Sequence, residues 1–138
     1  MRQRLALGWT LLIVLLALAL PATTLAASYN HKITRNECGA SKVFLTVKAI
    51  APGTTPGNKL TIDSWAQEKH GGVWQTTWVW NQVKYTYTPD GTKHTLTVAR
   101  NYPFMTYTAR IVMQVRAFSG HTQLYSATVR SVRCVFPF

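Results

Sequence analysis

Acidic residues are scarce in this chain of 138 residues, which has four Asp and Glu against fifteen Lys and Arg. A glycosidase needs two carboxylates that face one sugar bond. Asp63 and Glu68 differ in parity along one predicted strand, so their side chains should point to opposite faces. The other acids are Glu37 and Asp90, and Asp90 lies in a Pro-Asp-Gly turn. The sequence therefore predicts no glycosidase.

Other catalytic and metal-binding patterns are also missing. No nucleophile-elbow pattern for a serine hydrolase is present. The four histidines are isolated and mostly lie in predicted turns: His31, His70, His94 and His121. Their spacing supports no metal site. We therefore expect a protein without enzymatic activity, without a cofactor and without a bound metal.

Long apolar runs are missing outside the N-terminus. There, a basic start precedes the apolar run Leu11–Leu20 (LLIVLLALAL), Pro21 breaks this run, and small residues follow as far as Ala26. This order is typical of a secretory signal peptide, whereas the alternative, an uncleaved anchor, needs about 20 apolar residues. We predict that residues 1–26 are a cleaved signal peptide and that residues 27–138 form one secreted, extracellular domain.

Cysteine occurs only twice, at Cys38 and Cys134. In an oxidising compartment an even pair predicts a disulfide, which here would join the two ends of the mature domain. A bridge that closes a loop of roughly 100 residues contributes about 4.7 kcal/mol in the chain-entropy model. A free catalytic or metal-binding pair would need partners that the sequence does not offer.

No segment carries a sustained helical stripe, whereas short apolar alternations recur between turn signals. The clearest strand covers residues 107–118, where apolar and polar residues alternate with a period of two. Another predicted strand places four apolar residues on one face: Val43, Leu45, Val47 and Ala49. The last predicted strand ends at Cys134. Together these patterns predict an all-β antiparallel sandwich of about seven strands, with a small closed barrel as the alternative.

Seven strands joined by short turns resemble an immunoglobulin-like or fibronectin type III-like sandwich. Tyr107 opens the sixth predicted strand, where such folds carry a corner tyrosine. The resemblance also implies a place for Trp65, on the third strand, near the core tryptophan of the family. Immunoglobulin domains bridge the second and sixth strands, whereas Cys38 precedes the second strand here and Cys134 lies in the last. The resemblance implies a fold and no particular function.

Tryptophan is concentrated in residues 71–89 (GGVWQTTWVWNQVKYTYTP), which hold three of the five in the chain. Trp74, Trp78 and Trp80 share parity, so one unbroken strand would place them on a single exposed face. Positions i and i+2 lie about 7 Å apart, and such a row resembles the platforms of carbohydrate-binding modules. The alternative is a β-bulge at Asn81–Gln82, which would flip the parity and turn Trp78 and Trp80 inward.

Basic residues dominate the predicted mature domain. Without the two arginines of the signal segment it keeps 13 Lys and Arg against 4 acids, a net charge of +9. Such a charge favours polyanions, including anionic envelope polymers and acidic glycans, although it also promotes solubility. Arg110 and Arg116 should project from the outer side of the sixth strand, with Arg130 beside them near Phe118. Alternatively, these arginines line an ordinary solvated face.

These observations predict a secreted, non-catalytic binding or adhesion module for a glycan or an anionic cell-envelope polymer. Trp74, Trp78 and Trp80 would stack on sugar rings, while the three arginines would meet negative charge. The alternative is a protein-binding module, such as a protease inhibitor, that acts through the loops 51–58 and 100–105. No nucleic-acid-binding motif is present in the sequence.

Overall fold

A computed structural model describes residues 29–52, 57–87, 93–103 and 107–136 of the chain. These residues form seven strands and no helix. The strands are β1 (Asn30–Cys38), β2 (Lys42–Pro52), β3 (Asn58–His70), β4 (Val73–Tyr87), β5 (Lys93–Pro103), β6 (Thr108–Ser119) and β7 (Thr122–Arg130). In the described segments no helix is long and apolar enough to cross a membrane. The predicted signal peptide, residues 1–26, lies outside the described residues.

The seven strands build two antiparallel sheets that face each other. One sheet has the order β1-β2-β5 and the other has the order β4-β3-β6-β7. Every neighbouring pair of strands is antiparallel. The apolar side chains of β2 pack against those of β3 and β6 in a shared core. The predicted all-β sandwich of seven antiparallel strands is therefore confirmed.

The core follows from the period-two alternation of β2 and β6. The inward positions of β2 are completely buried: Val43, Leu45, Val47, Ala49 and Ala51. The inward positions of β6 are completely buried as well: Ala109, Ile111, Met113, Val115 and Ala117. A fully buried Val, Leu, Ile or Met side chain contributes roughly 1.5–3 kcal/mol relative to an exposed one. These two strands therefore decide which face of each sheet is turned away from water.

The disulfide closes one end of the sandwich. Cys38 is the last residue of β1, and it is bonded to Cys134 with 5.6 Å between the two Cα atoms. Cys134 also exchanges two backbone hydrogen bonds with Ala109 of β6, at 2.9 and 3.0 Å. The predicted bridge between the ends of the domain is therefore confirmed, and it ties the segment after β7, which is hydrogen-bonded to the larger sheet, to β1 of the smaller sheet.

The prediction that the last strand reaches Cys134 is wrong, because β7 ends at Arg130. The next residue, Ser131, donates its N–H to the Ile111 carbonyl at 2.8 Å. The Ile111 N–H in turn donates to the Ser131 hydroxyl, also at 2.8 Å. A side-chain oxygen thus replaces a backbone acceptor in the ladder, which interrupts strand pairing before Cys134.

Two β-bulges in β4 decide where its tryptophans point. Relative to β3, β4 has one extra residue at Asn81–Gln82 and another at Thr77. Each insertion exchanges the faces to which the following side chains point. Trp78 and Trp80 therefore lie on the inner side of the sheet, whereas Trp74 lies on the outer side. The bulge considered at Asn81–Gln82 is present, and the interpretation of three tryptophans in one exposed row is wrong.

Two positions expected from the sandwich resemblance differ in the structure. Ser64 and Ala66 of β3 are buried in the core, so Trp65 between them faces outward and is half-buried. The expected place of Trp65 near the core is therefore wrong, because alternation along β3 gives the core to the even-numbered residues. Tyr107 precedes β6, is 44% exposed, and has its ring 4.4 Å from that of His70.

Candidate binding surfaces

The outer face, meaning the side of the β4-β3-β6-β7 sheet turned away from the core, brings together four of the six predicted ligand-binding residues. Arg110 and Arg116 project from β6, Arg130 projects from β7, and Trp74 projects from β4. The other two tryptophans lie on the inner side of the same sheet. The sequence therefore predicted the outward placement of Arg110 and Arg116 but not the separation of the tryptophans.

Arg110 is held against Trp74 on the outer face. Its guanidinium carbon lies 4.0 Å from the centre of the indole ring, which is a cation–π contact, and its Nε donates to Gln67 Oε1 at 2.9 Å. Burial lowers the pKa of Arg110, and the positive charge of Arg130 lowers it further. No described carboxylate pairs with either arginine. An anion bound between them would relieve their repulsion.

Arg116 differs from these two arginines because an acid neutralises it locally. Its Nη2 donates to Asp63 Oδ2 in an ion pair. Its guanidinium carbon lies 5.7 Å from the centre of the Phe118 ring, and its Nε is buried without a hydrogen-bond partner. The ion pair therefore orients Arg116, whereas Arg110 and Arg130 supply positive charge that no carboxylate of the described residues pairs with.

The prediction that Arg130 lies near Phe118 is wrong. Arg130 pairs in register with Val112, and Phe118 is six positions farther along β6. Six positions span roughly 20 Å of an extended strand. Because β7 runs antiparallel to β6, the end of β7 meets the start of β6, which places Arg130 close to Arg110.

Lysines add to the positive charge of the outer face. The strand register places three lysines on this face: Lys59 and Lys69 of β3 and Lys84 of β4. Asp63 is the one acid on the described part of this face. Six cations against one acid produce a positive potential, which attracts anions over about one Debye length, roughly 8 Å at physiological salt.

A shallow depression of about 250 Å³ opens on the outer face at the end of β6. Its lining includes Lys59, Lys84, Phe118 and His121. Two ammonium groups beside an aromatic ring offer charge and a flat contact to an acidic group. The end of the outer face that is distant from Arg110 therefore also favours an anion.

A second surface, the edge cleft, lies where β4 and β5 approach each other at the open side of the sandwich. Its volume is about 440 Å³, and it is lined by Trp78, Trp80, Asn101, Tyr102 and Pro103. Trp80 packs against the core, whereas Trp78 is 57% exposed. The rings of Trp80 and Tyr102 meet edge to face, with 6.4 Å between centroids and 90° between planes. Size and lining are those of a small-molecule site.

Hydrogen bonds fix the Tyr102 wall of the edge cleft. The Tyr102 hydroxyl donates to Glu68 Oε1 at 2.9 Å and lies 3.1 Å from Thr77 Oγ1. The other Glu68 oxygen lies 3.1 Å from His70 Nε2. Burial raises the pKa of Tyr102, the hydrogen bond with Thr77 lowers it, and the Glu68 carboxylate raises it again. The hydroxyl therefore keeps its proton at neutral pH and holds Glu68.

Arg100 joins the two sheets beside the edge cleft. Its Nε donates to Ser64 Oγ of β3 at 3.0 Å, and its Nη1 donates to the Ala99 carbonyl at 3.2 Å. Its guanidinium carbon lies 5.8 Å from the centre of the Trp80 ring. Arg100 therefore lies against the Trp80 indole, which lines the edge cleft.

Sequence reasoning missed Glu68, Arg100 and Tyr102 as a group. Part of the signal was available, because Leu96 and Val98 are two positions apart and give the sequence of β5 one apolar face. Extending the same parity along β5 places Arg100 and Tyr102 on that face too. Their contact with Glu68 depends on how the two sheets face each other. The alternation of residues within one strand gives no information about that arrangement.

The acids of the described residues do not form a catalytic pair. Asp63 lies on the outer face and Glu68 on the inner side, as their parity predicts. Asp90, residues 53–56 and residues 104–105 lie outside the described residues, so the loops considered for protease inhibition are described only in part. The prediction that residues 100–103 belong to a loop is wrong, because β5 extends to Pro103. Among the residues that the structure describes, no three His, Cys, Asp or Glu side chains converge to hold a metal ion.

Comparison with known proteins finds distant structural likeness. No protein-family model matches the chain, and no curated protein matches it. A β-glucosidase from Kluyveromyces marxianus is similar over 80% of this chain and 15% of the enzyme, with 10% identity and a TM-score of 0.41. A protein from Archaeoglobus fulgidus is similar over 80% of this chain and 97% of that protein, with 9% identity and a TM-score of 0.38. This chain thus spans about 15% of the β-glucosidase, and neither likeness carries an argument about function.

Proposed function

We propose that the protein is a secreted, non-catalytic module that binds an anionic polymer of the cell envelope through its outer face. The proposal is carried by the shared placement of Trp74, Arg110 and Arg130. Two cations without a paired described acid lie together on an open sheet, and one of them is stacked on an indole. Such a surface offers both charge and a flat contact to an anionic chain.

The extent of the charged area favours a polymer over a small anion. Cations reach from Arg110 and Arg130 at one end of the outer face to Lys59 and Lys84 at the other. The distance along β6 is roughly 20 Å. A chain of repeated phosphates or carboxylates contacts both ends at once, and each contact releases counterions. Binding of the first segment also raises the effective concentration of the next.

Two further observations support the secreted and non-catalytic parts of the proposal. The Cys38–Cys134 disulfide fits an oxidising compartment, where such bridges persist. Asp63 and Glu68 lie on opposite sides of the larger sheet, where Asp63 is paired with Arg116 and Glu68 is hydrogen-bonded to Tyr102 and His70. These two carboxylates therefore do not face the same bond of a bound polymer, as the two carboxylates of a glycosidase must.

We also propose that the sandwich is of the immunoglobulin-like or fibronectin type III-like kind. Seven strands in two facing antiparallel sheets support this assignment. In constant-type immunoglobulin domains the fourth strand joins the sheet of the first, second and fifth strands. Here β4 pairs with β3 in the other sheet, which favours a variant of that arrangement.

The test is a titration of the disulfide-bonded protein with three soluble polymers: long-chain polyphosphate, polygalacturonate and uncharged dextran. Binding is measured at low and high salt. The variant Arg110→Gln/Arg130→Gln removes the uncompensated pair. Each basic residue near an anionic surface contributes about 1 kcal/mol, so the double variant should bind the polyanions roughly thirtyfold more weakly.

A matched control removes the same charge from the opposite side of the molecule. Lys32 and Lys48 are register partners on the outside of the smaller sheet, so Lys32→Gln/Lys48→Gln lowers the net charge equally. The proposal expects this control to bind within about threefold of wild type. Equal losses in both variants, equal binding of dextran and polyanion, or binding that ignores salt would contradict it.

A further inference from the structure

We infer that the edge cleft is a second binding site, for an uncharged pyranose ring of a glycan. This site goes beyond the proposed polyanion surface, because it lies on the inner side of β4 while the outer face lies on the other side. The two sites use different tryptophans: Trp78 and Trp80 here, and Trp74 on the outer face. Each can therefore be removed without the other.

The aromatic walls provide the first argument. Trp78 and Trp80 are two residues apart on β4, and Tyr102 of β5 stands at 90° to Trp80. The face of an aromatic ring carries negative potential, which attracts the weakly positive C–H groups on the flat side of a pyranose. Trp78, Trp80 and Tyr102 all line the edge cleft, so a pyranose bound there would meet more than one aromatic side chain. The 57% exposure of Trp78 leaves its indole open to such a ligand.

The bulge at Thr77 provides the second argument. It turns Trp78 to the inner side of the sheet, and the Thr77 hydroxyl lies 3.1 Å from the Tyr102 hydroxyl. The same bulged residue therefore directs one wall of the edge cleft and contacts the other. Bulges next to binding sites commonly re-aim a side chain in this way. The Tyr102 hydroxyl also donates to Glu68 Oε1 at 2.9 Å. The Tyr102 side chain is therefore fixed in place before a ligand binds.

The charges around the edge cleft favour an uncharged ligand. Arg100 contacts Trp80 from one side, while Glu68 holds Tyr102 from the other. Their opposite charges give this site no strong preference for an anion or a cation. Asn101 lines the cleft and is exposed, and its amide offers both a donor and acceptor, as sugar hydroxyls require.

A proline-rich peptide is the competing occupant, since such segments also dock on aromatic grooves. A polyproline II helix rises about 3.1 Å per residue, so it docks along an extended groove lined by aromatic side chains. In the edge cleft the β5 wall presents Tyr102 at a right angle to Trp80, which suits a compact ring better than an extended helix. We therefore choose the sugar ring, and the peptide becomes an outcome of the test.

The experiment titrates the disulfide-bonded protein with neutral oligosaccharides, namely hexamers of glucose in β-1,4 and α-1,4 linkage, of mannose and of N-acetylglucosamine, and with decaproline. Binding is measured by calorimetry and by tryptophan fluorescence. We expect at least one hexasaccharide to bind, and Trp78→Ala to weaken it about tenfold or more. Because Trp78 is largely exposed, this variant should fold, and a circular dichroism spectrum checks that it does.

Trp74→Ala is the matched control, since it removes an indole from the same strand on the outer face. It should leave hexasaccharide binding within about twofold of wild type and weaken polyphosphate binding, while Trp78→Ala should do the reverse. Binding of decaproline alone, binding of no hexasaccharide, or equal losses in both variants would overturn the inference. The polyanion proposal stands or falls separately, on polyphosphate binding.

Discussion

Removal of the Cys38–Cys134 bridge should cost a large part of the stability of this domain. The bridge joins residues that are 96 positions apart. In the chain-entropy model, cross-linking a loop of that length destabilises the unfolded chain by about 4.7 kcal/mol. Small domains unfold with only about 5–15 kcal/mol. The variant Cys38→Ala/Cys134→Ala should therefore lose a third or more of its unfolding free energy.

The folded state gives little reason for a smaller effect. Two backbone hydrogen bonds hold Cys134 against Ala109 whether or not the sulfur bridge exists. The loss therefore falls on the unfolded chain, which gains freedom once the bridge is gone. A loss of this size lowers the melting temperature by roughly 15–20 °C, at about 4 °C per kcal/mol for a domain near 100 residues.

Urea unfolding followed by tryptophan fluorescence measures the effect. Wild-type protein reduced with a thiol is the companion sample, because it keeps both sulfur atoms and so separates the cross-link from the loss of buried volume at Cys134. Both samples should lose similar free energy. A loss below about 1 kcal/mol in the reduced protein would refute the argument that the bridge acts by restricting the unfolded chain.

Three other predictions follow from single residues. Ile111→Ala in the fully buried core should lose about 2–5 kcal/mol of unfolding free energy, whereas Val79→Ala, at a position that is 70% exposed, should stay within about 0.5 kcal/mol; equal losses in urea unfolding would contradict the assigned core. Burial raises the pKa of Tyr87, so folding favours its neutral phenol. The stability that this contributes is complete below about pH 10, and it is lost at higher pH by up to about 1.4 kcal/mol per pH unit. Urea unfolding at pH 8 and 11 should show this fall in wild type and a smaller one in Tyr87→Phe, and a flat wild-type profile would refute it. Trp78 is 57% exposed, so Trp78→Phe should remove the largest share of acrylamide quenching of fluorescence, and unchanged quenching would mean that another indole is the accessible one.

The sandwich itself could be predicted because its strongest signals are local. The alternation in residues 107–118 and in β2 identifies two strands and their buried faces without knowledge of their partners. The pairing of Cys38 with Cys134 follows from compartment and count, since no other cysteine exists. Neither the buried faces of these two strands nor the cysteine pairing depends on which strands are neighbours in the sheets.

The sides of the tryptophans could not be predicted because they depend on pairing between strands. A bulge at Thr77 exists only relative to β3, and nothing in the local sequence TTWVW marks it. The bulge at Thr77 alone puts Trp74 and Trp78 on opposite sides of the sheet although they share parity, and the second bulge at Asn81–Gln82 changes the parity of β4 again after Trp80. Trp65 was misplaced because its expected position came from the family resemblance, whereas its face is set by the parity of β3.

The edge cleft was missed for a third reason, which is that two sheets build it. Tyr102 and Glu68 are 34 positions apart and meet across the sandwich. The strand order that brings β5 over β3 and β4 is a property of the whole domain. Pattern reasoning along single strands identifies their inward faces but not the side chains that those faces meet.

The central claim is that the outer face binds an anionic polymer, and mapping of backbone amide shifts by NMR during a polyphosphate titration tests it most directly. The account predicts that the largest shifts cluster around Arg110 of β6, Arg130 at the end of β7 and Trp74 of β4, and that added salt reverses them. Shifts concentrated around Lys48 of β2, on the opposite side of the molecule, or no shifts at low salt, would contradict it.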